Sequence, residues 1–223
     1  MPLAEAAYQE LRRRILCCEL LPASAITEGA IVEHLAIGKT PVREAMRRLV
    51  QEGLLTVTPR AGYTVATITD LDVDDVFQLR SIAEASAAEL AAGRLDANVL
   101  ARLEALCAIG YDPRVPESIV AYLRLNAEFH RLIAESSGNR RLCDLVAQLL
   151  DESQRMIHLG MLRQPSSHGA QREHTELLAA LRDGKAEEAR AVVTRHIGHA
   201  RDIVRASLAP SRSERPLVPD GVR

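Results

Sequence analysis

The chain has 223 residues, which is enough for two small domains, and 47% of them are hydrophobic and available for a core. Its formal net charge of -2 excludes a uniformly basic nucleic-acid coat protein, so any DNA-binding surface must be a local patch. Aromatic residues make up only 3% and Trp is absent, so Leu, Ala, Val and Ile must fill the core, and such a composition favours helices.

The N-terminal segment predicts three short helices. Residues 4–18 have apolar residues at helical spacing, and Thr27 is suited to cap a second helix. A short turn leads to the stretch 39–49, in which we expect Thr40 to cap a helix and Pro41 to occupy its first turn. One face of this third helix is apolar, while its start and other faces are basic, as expected of a helix that enters a DNA major groove.

Two short β-type runs, 54–58 and 63–67, follow the third helix and flank a Gly-containing tip at 59–62. They predict a two-stranded hairpin. Three helices followed by such a hairpin are typical of a winged helix-turn-helix, and we assign residues 1–67 to a DNA-binding domain of this kind.

The remainder of the chain is predicted to be helical from Thr69 to about Leu208. Gly93, Gly138, Pro165 and Gly184 separate helical segments, and no strand pattern interrupts them. Six helices with short connections predict an antiparallel bundle over residues 68–208. Residues 209–223 are rich in Pro, Ser and Arg and are expected to be a disordered tail.

Four polar residues fall on apolar faces of the predicted bundle helices. Asn126 and His130 share one helical stripe, and His174 and His196 lie on the apolar stripes of two further helices. One such His is more often a hydrogen-bonded core residue, but three with an Asn favour a divalent transition metal, with Zn or Ni preferred. A histidine cluster without metal is the alternative. We expect the four other histidines to be at the surface or to flank the site: His34, His158, His168 and His199.

Arg80 also lies on an apolar stripe, in the first helix of the predicted bundle. Its side chain either extends to solvent or pairs with Glu84 one turn later, or it faces a cavity and holds a carboxylate in bidentate fashion. The sequence favours neither interpretation over the other.

Both parts of the chain resemble the GntR-type transcriptional regulators. The N-terminal match comprises Tyr8–Ile15, Thr40–Leu49, Glu52–Leu54 and Pro59–Gly62. The helical part is similar to the ligand-binding domain of the FadR-like branch, in the metal-binding version called FCD. That match comprises Asn126–His130, Ser137–Asn139, the pair Glu173 and His174, and the pair Arg195 and His196.

The resemblance implies a homodimer that binds a palindromic double-stranded DNA operator and changes its DNA affinity when an effector binds. It implies DNA contacts from Lys39, Thr40, Arg43, Arg47 and the wing tip near Gly62. It implies metal ligation by Asn126, His130, His174 and His196. Three residues depart from the usual pattern. Gly38 stands where a serine hydroxyl is usual. Asn126 stands where Asp is usual, and Lys39 stands where an Arg could bind guanine bidentately.

The sequence therefore predicts a transcriptional repressor that responds to a small carboxylate effector held by the metal and Arg80. A sensor of the metal alone is the first alternative. A helical metalloenzyme is disfavoured, because Glu128 and Glu173 adjoin ligands in sequence but should point to other helix faces, which leaves no evident general base. Four scattered cysteines, the lack of a long apolar run and the lack of a signal-peptide pattern predict a cytoplasmic protein that does not bind a membrane.

Overall fold

The computed structural model describes residues 2–59, 61–112, 114–163 and 168–208, so the predicted disordered tail at 209–223 lies outside the described residues. The described part is mostly helical, with one small antiparallel sheet, as predicted. Its elements are α1 Leu3–Leu16, β1 Ala25–Ile26, α2 Glu28–Leu35, α3 Lys39–Gln51, β2 Leu55–Thr58, β3 Gly62–Val65, α4 Asp70–Ala91, α5 Ala97–Cys107, α6 Pro116–Ser136, α7 Arg140–Arg163, α8 His168–Arg182 and α9 Ala186–Leu208.

The first three helices pack on one another and on the sheet through a shared apolar core. Leu11, Ile15, Met46, Leu49 and Leu55 are all almost fully buried there. The hairpin of β2 and β3 forms the predicted wing. The sequence did not predict β1, which pairs with β3 to give the strand order β1-β3-β2, because two residues are too few to show alternation.

The start of α3 differs from the prediction. Its N-cap is Gly38, whose missing side chain makes no cap hydrogen bond, and the helix begins at Lys39. The expectation that Thr40 caps this helix is therefore wrong. Pro41 still lies in the first turn, where the backbone N–H groups have no partner within the helix and the N–H that proline lacks is not missed.

Six helices, α4 to α9, form the second, larger core. Thr69 caps α4 in a reciprocal arrangement with Asp72, in which each side chain accepts from the other residue's backbone N–H. The helix α4 runs through the middle of this assembly and contacts α6, α7 and α9. Phe77 and Phe129 are the largest fully buried apolar side chains of this core, each no more than 2% exposed.

Helix α7 also joins the helical region to the winged helix. The Arg155 guanidinium donates from Nη1 to the carbonyl of Ala66, just after the wing, at 2.9 Å. The Cys18 thiol, just after α1, donates to the backbone carbonyl of Arg155 at 3.6 Å. His158 is buried in the same region, so the prediction that it lies at the surface or beside the histidine site is wrong as to the surface, and burial lowers its pKa.

Two of the remaining histidines lie at the surface of the described part of the chain. His34 and His199 are exposed, and the side chain of His168 lies outside the described atoms. All four cysteines are free. Among the described residues, we find no helix that combines the length and the apolar character needed to cross a bilayer.

Candidate functional site

Three buried histidines from three helices meet inside the helical region. His130 comes from α6, His174 from α8 and His196 from α9, and a ligand nitrogen of each lies within 4.8 Å of those of the other two. The Nε2 atoms of His174 and His196 are 3.3 Å apart. The Phe129 ring stacks on His174 with a centroid distance of 4.3 Å and restricts its orientation. This is the cluster that the helical spacing predicted.

Two buried carboxylates lie beside two of these rings. The Nδ1 atom of His130 lies 2.6 Å from Glu84 Oε2, and the Nδ1 atom of His196 lies 3.0 Å from Glu173 Oε2. A carboxylate at Nδ1 favours the tautomer with its proton on Nδ1. That tautomer leaves the Nε2 lone pair free and raises its basicity as a metal ligand.

The surroundings favour the neutral form of two histidines and the ionised form of Glu84. Burial, reinforced by the neighbouring imidazoles, lowers the pKa of His174 well below its ordinary value, and burial also lowers the pKa of His196. Burial alone would raise the pKa of Glu84, but Arg80 and His130 outweigh it and lower that pKa to about 2. Neutral imidazoles beside an ionised carboxylate are the protonation states that a metal cation requires.

An unpaired histidine nitrogen in the site fits a metal ion. The Nε2 atom of His130 is buried and has no hydrogen-bond partner among the described residues. An orphaned buried nitrogen is costly unless something coordinates it. Three imidazole nitrogens suit Zn, Ni, Cu or Fe, and tetrahedral zinc takes a fourth ligand from a protein side chain, water or a bound anion.

A cavity of about 390 Å³ opens beside the cluster, and His196 lies in its wall. Asn126 and Arg80 line the same cavity. Arg80 pairs with Glu84, as one interpretation of the sequence predicted, and it also lines the cavity. Its Nε donates to Glu84 Oε1 at 2.7 Å, and its buried Nη1 has no hydrogen-bond partner among the described residues. A guanidinium nitrogen in the cavity wall can bind an incoming anion.

Sequence reasoning missed both carboxylates as parts of the site. Glu84 entered only as a partner of Arg80, and Glu173 was expected to point away from the histidines. Instead, Glu173 is buried beside its neighbour His174 and contacts His196 and His199, because α8 packs against both α5 and α9. Glu128 is indeed turned away and pairs with Arg102 on the surface. The adjacency of Glu173 and His174 could not reveal this arrangement, since it depends on contacts across helices.

The candidate DNA-contacting residues lie on the outer face of α3. Lys39, Thr40, Arg43 and Arg47 are all exposed there. Arg43 is not free, however, because it forms two parallel hydrogen bonds with the Glu28 carboxylate, each 2.9 Å long. A DNA contact by Arg43 therefore has to replace this ion pair.

Gly62 is the first residue of β3. Its φ of +99° lies in the region that favours glycine, and a Cβ built there would be 2.8 Å from the carbonyl oxygen of Ile26. Glycine at this position is thus explained by the close approach of β1, whether or not it contacts DNA.

Comparisons with known sequences agree with this architecture. Residues 3–65 match the family described as bacterial regulatory proteins, gntR family, and residues 75–199 match the FCD domain. An uncharacterized HTH-type transcriptional regulator of Bacillus subtilis, YdhC, is 30% identical over 201 residues, which cover 86% of each chain. The HTH-type transcriptional repressor RspR of Escherichia coli is 24% identical, over 92% of this chain and 90% of its own.

Solved structures show the same fold. McbR/YncC of E. coli superposes with a TM-score of 0.73 at 24% identity, over 92% of this chain and 98% of that one. A GntR-type putative regulator from Rhodococcus sp. RHA1 has a TM-score of 0.72 at 20% identity, over 91% and 97% of the two chains. The arrangement of winged helix and helical region is therefore shared with these proteins.

Proposed function

Since this chain belongs to the GntR family of transcriptional regulators and carries an FCD domain, we propose that it is a repressor controlled by a small organic acid at a metal-containing pocket. Its fold and its relatives are those of regulators and not of enzymes. One observation carries the proposal: three buried histidines converge beside a cavity whose wall also contains the incompletely paired Arg80. We propose residues 1–67 as the DNA-binding domain, 68–208 as the effector domain and the cytoplasm as the location.

The metal would be held by His130, His174 and His196, with Asn126 as a neutral fourth ligand. Zn or Ni would suit this donor set. When bound, the metal supplies a positive centre for an anionic effector. Glu84 and Glu173 would hold the imidazole rings in the orientation that ligation needs.

The effector would place its carboxylate near Arg80 at the metal end of the cavity. Helix α7 offers a connection to the DNA-binding region. It contributes Ile157 and Met161 to the cavity wall, while Arg155 on the same helix bonds to the carbonyl of Ala66. If α7 has two positions relative to the rest of the helical region, an effector that binds one of them more tightly would favour that position. The winged helix, which is bonded to α7, would move with it.

DNA would be bound by the N-terminal end of α3 in the major groove, with Lys39, Thr40 and Arg43 near the bases and Arg47 near the backbone. The wing near Gly62 would reach the minor groove. Phosphate contacts supply affinity and base contacts supply sequence choice. Glu28 would be displaced from Arg43 when DNA binds.

An exposed apolar stripe on α4 supports a homodimer. Leu71, Leu79, Ile82 and Leu90 recur at helical spacing and are all exposed. A dimer would place two α3 helices against two half-sites of a palindrome. Ile82→Asp should yield monomers in sedimentation velocity, whereas Leu162→Asp, an exposed leucine on α7, should leave the dimer intact. A dimeric Ile82→Asp protein would refute this interface.

Selection from random double-stranded DNA with the tag-free protein tests the whole proposal. We expect a palindrome whose half-sites are about one helical turn apart. Arg43→Ala should weaken binding to that sequence by roughly ten- to a hundredfold, while Arg172→Ala, at an exposed position of α8, should not. No enriched sequence, or unchanged affinity for Arg43→Ala, would contradict the assignment.

Operator binding measured at increasing metal concentrations distinguishes the proposed acid-responsive regulator from a sensor of the metal alone. In the proposed mechanism, chelation removes the response to added carboxylate. In a pure sensor, DNA affinity follows the metal concentration and no carboxylate changes it.

A further inference from the structure

The wall of the cavity beside the histidines is apolar over most of its area. Its charged or polar lining residues, apart from two tyrosines, are Arg80, Asn126, Glu173, His196, His199 and Asp202. Away from them, the wall is formed by side chains of α6, α7 and α9, among them Tyr122, Leu123, Ile157, Met161 and Ile203.

The apolar part is shaped by aromatic rings. Tyr122 is 8% exposed and packs against Tyr111, with ring centroids 5.0 Å apart and planes inclined by 41°. Offset and tilted ring pairs of this kind also accept a further flat, apolar group well. A volume of about 390 Å³ holds roughly a dozen non-hydrogen atoms, at about 30 Å³ for each water displaced.

The charges favour a single carboxylate. A divalent ion (+2) on three neutral imidazoles, together with Arg80 (+1), Glu84 (-1) and Glu173 (-1), sums to +1. Arg195 also lies 3.6 Å from Glu173, but its side chain is exposed and its charge is balanced by its pair with Glu176. Asp202 also lines the cavity, where its carboxylate is paired with Arg201 at 3.2 Å and is largely exposed. One carboxylate neutralises the interior, whereas a second would lie among apolar side chains or beside Asp202.

From the apolar wall, the ring pair and this charge balance, we infer that the effector is a monocarboxylate with an apolar ring or branched body of up to about a dozen non-hydrogen atoms. The cavity disfavours dicarboxylates, tricarboxylates and polyhydroxy acids. Their additional polar groups would lose water along Ile157, Met161 and Ile203, whose side chains offer no hydrogen-bond partner. This inference rests on the proposed function and narrows its ligand class.

Isothermal titration of the zinc-loaded, tag-free full chain tests the inference with defined probes. 3-Phenylpropionate represents the expected class, acetate the carboxylate alone, and succinate, citrate and gluconate the disfavoured classes. 3-Phenylpropionamide keeps the body and removes the charge. We expect 3-phenylpropionate to bind at least tenfold more tightly than each of the others.

Ile157→Gln tests the apolar wall. It should weaken 3-phenylpropionate binding about tenfold and leave acetate binding unchanged. The matched control Leu162→Gln, on the exposed side of the same helix, should change neither. An equal effect on acetate would show that Ile157 does not contact the body of the ligand and would overturn the inference.

The outcomes distinguish the two levels of the hypothesis. Tighter binding of succinate, citrate or gluconate overturns the ligand class and leaves the proposed acid-responsive regulator standing. Equal binding of 3-phenylpropionamide shows that the carboxylate is not recognised and overturns both. Failure of every acid to bind protein that holds stoichiometric zinc also overturns both.

Discussion

Replacing Glu173 by Gln gives the most direct test of how the histidine cluster is built. The Glu173 carboxylate is buried and accepts from His196 Nδ1 at 3.0 Å and from His199 Nδ1 at 2.6 Å. Gln has almost the same shape and keeps one carbonyl acceptor, but it carries no charge. Glu84 is less suitable for this test, because its removal would leave the buried guanidinium of Arg80 without a counter-charge.

The size of the effect follows from the bond that is weakened. A hydrogen bond to a charged group contributes about 1.5–3 kcal/mol and a neutral one about 0.5–1.5 kcal/mol, so the change costs about 1–1.5 kcal/mol. That is roughly a tenfold loss of metal affinity, since 1.4 kcal/mol corresponds to a factor of ten. Glu173→Ala removes the acceptor altogether and should approach a hundredfold.

Competition for Zn²⁺ or Ni²⁺ against a chelator of known affinity measures this loss directly. Glu176→Gln is the matched control, because Glu176 lies on the same helix, is exposed and bonds to Arg195 rather than to a histidine. The reasoning is refuted if Glu173→Gln binds metal within twofold of the wild type, or if Glu176→Gln loses as much.

Three further predictions concern other parts of the chain. Gly62→Ala should cost about 1–3 kcal/mol of stability in urea unfolding, because its Cβ would meet a backbone carbonyl, whereas Gly29→Ala, in open space, should not destabilise. Burial raises the pKa of Cys18 to about 12; iodoacetamide at pH 8 should therefore label the partly exposed Cys143 first, as peptide mass spectrometry can show, and equal rates would contradict the burial. Because burial lowers the pKa of His158, the unfolded chain binds more protons, and the free energy of unfolding falls as the pH drops below about 6.5. His158→Gln should reduce that decline by at most about 1.4 kcal/mol per pH unit, measured on metal-free protein. An unchanged slope would argue against this role of His158.

Local patterns in the sequence determined the order of the elements and the faces of the helices. Apolar spacing predicted the buried side of α3, and the change to alternating residues after Gly53 predicted the wing. The same spacing put His130, His174 and His196 on the interior faces of their helices. Such inferences succeed because they depend on residues three or four positions apart, which share a helix face whatever the rest of the chain does.

The tertiary structure alone determined which polar atoms meet. Glu84 and Glu173 reach their imidazoles, Arg80 both pairs with Glu84 and lines the cavity, and Arg43 is held by Glu28. Each contact depends on how far one helix is shifted and rotated against another. Periodicity within a helix carries no information on that relation, because packing between segments distant in the sequence sets it.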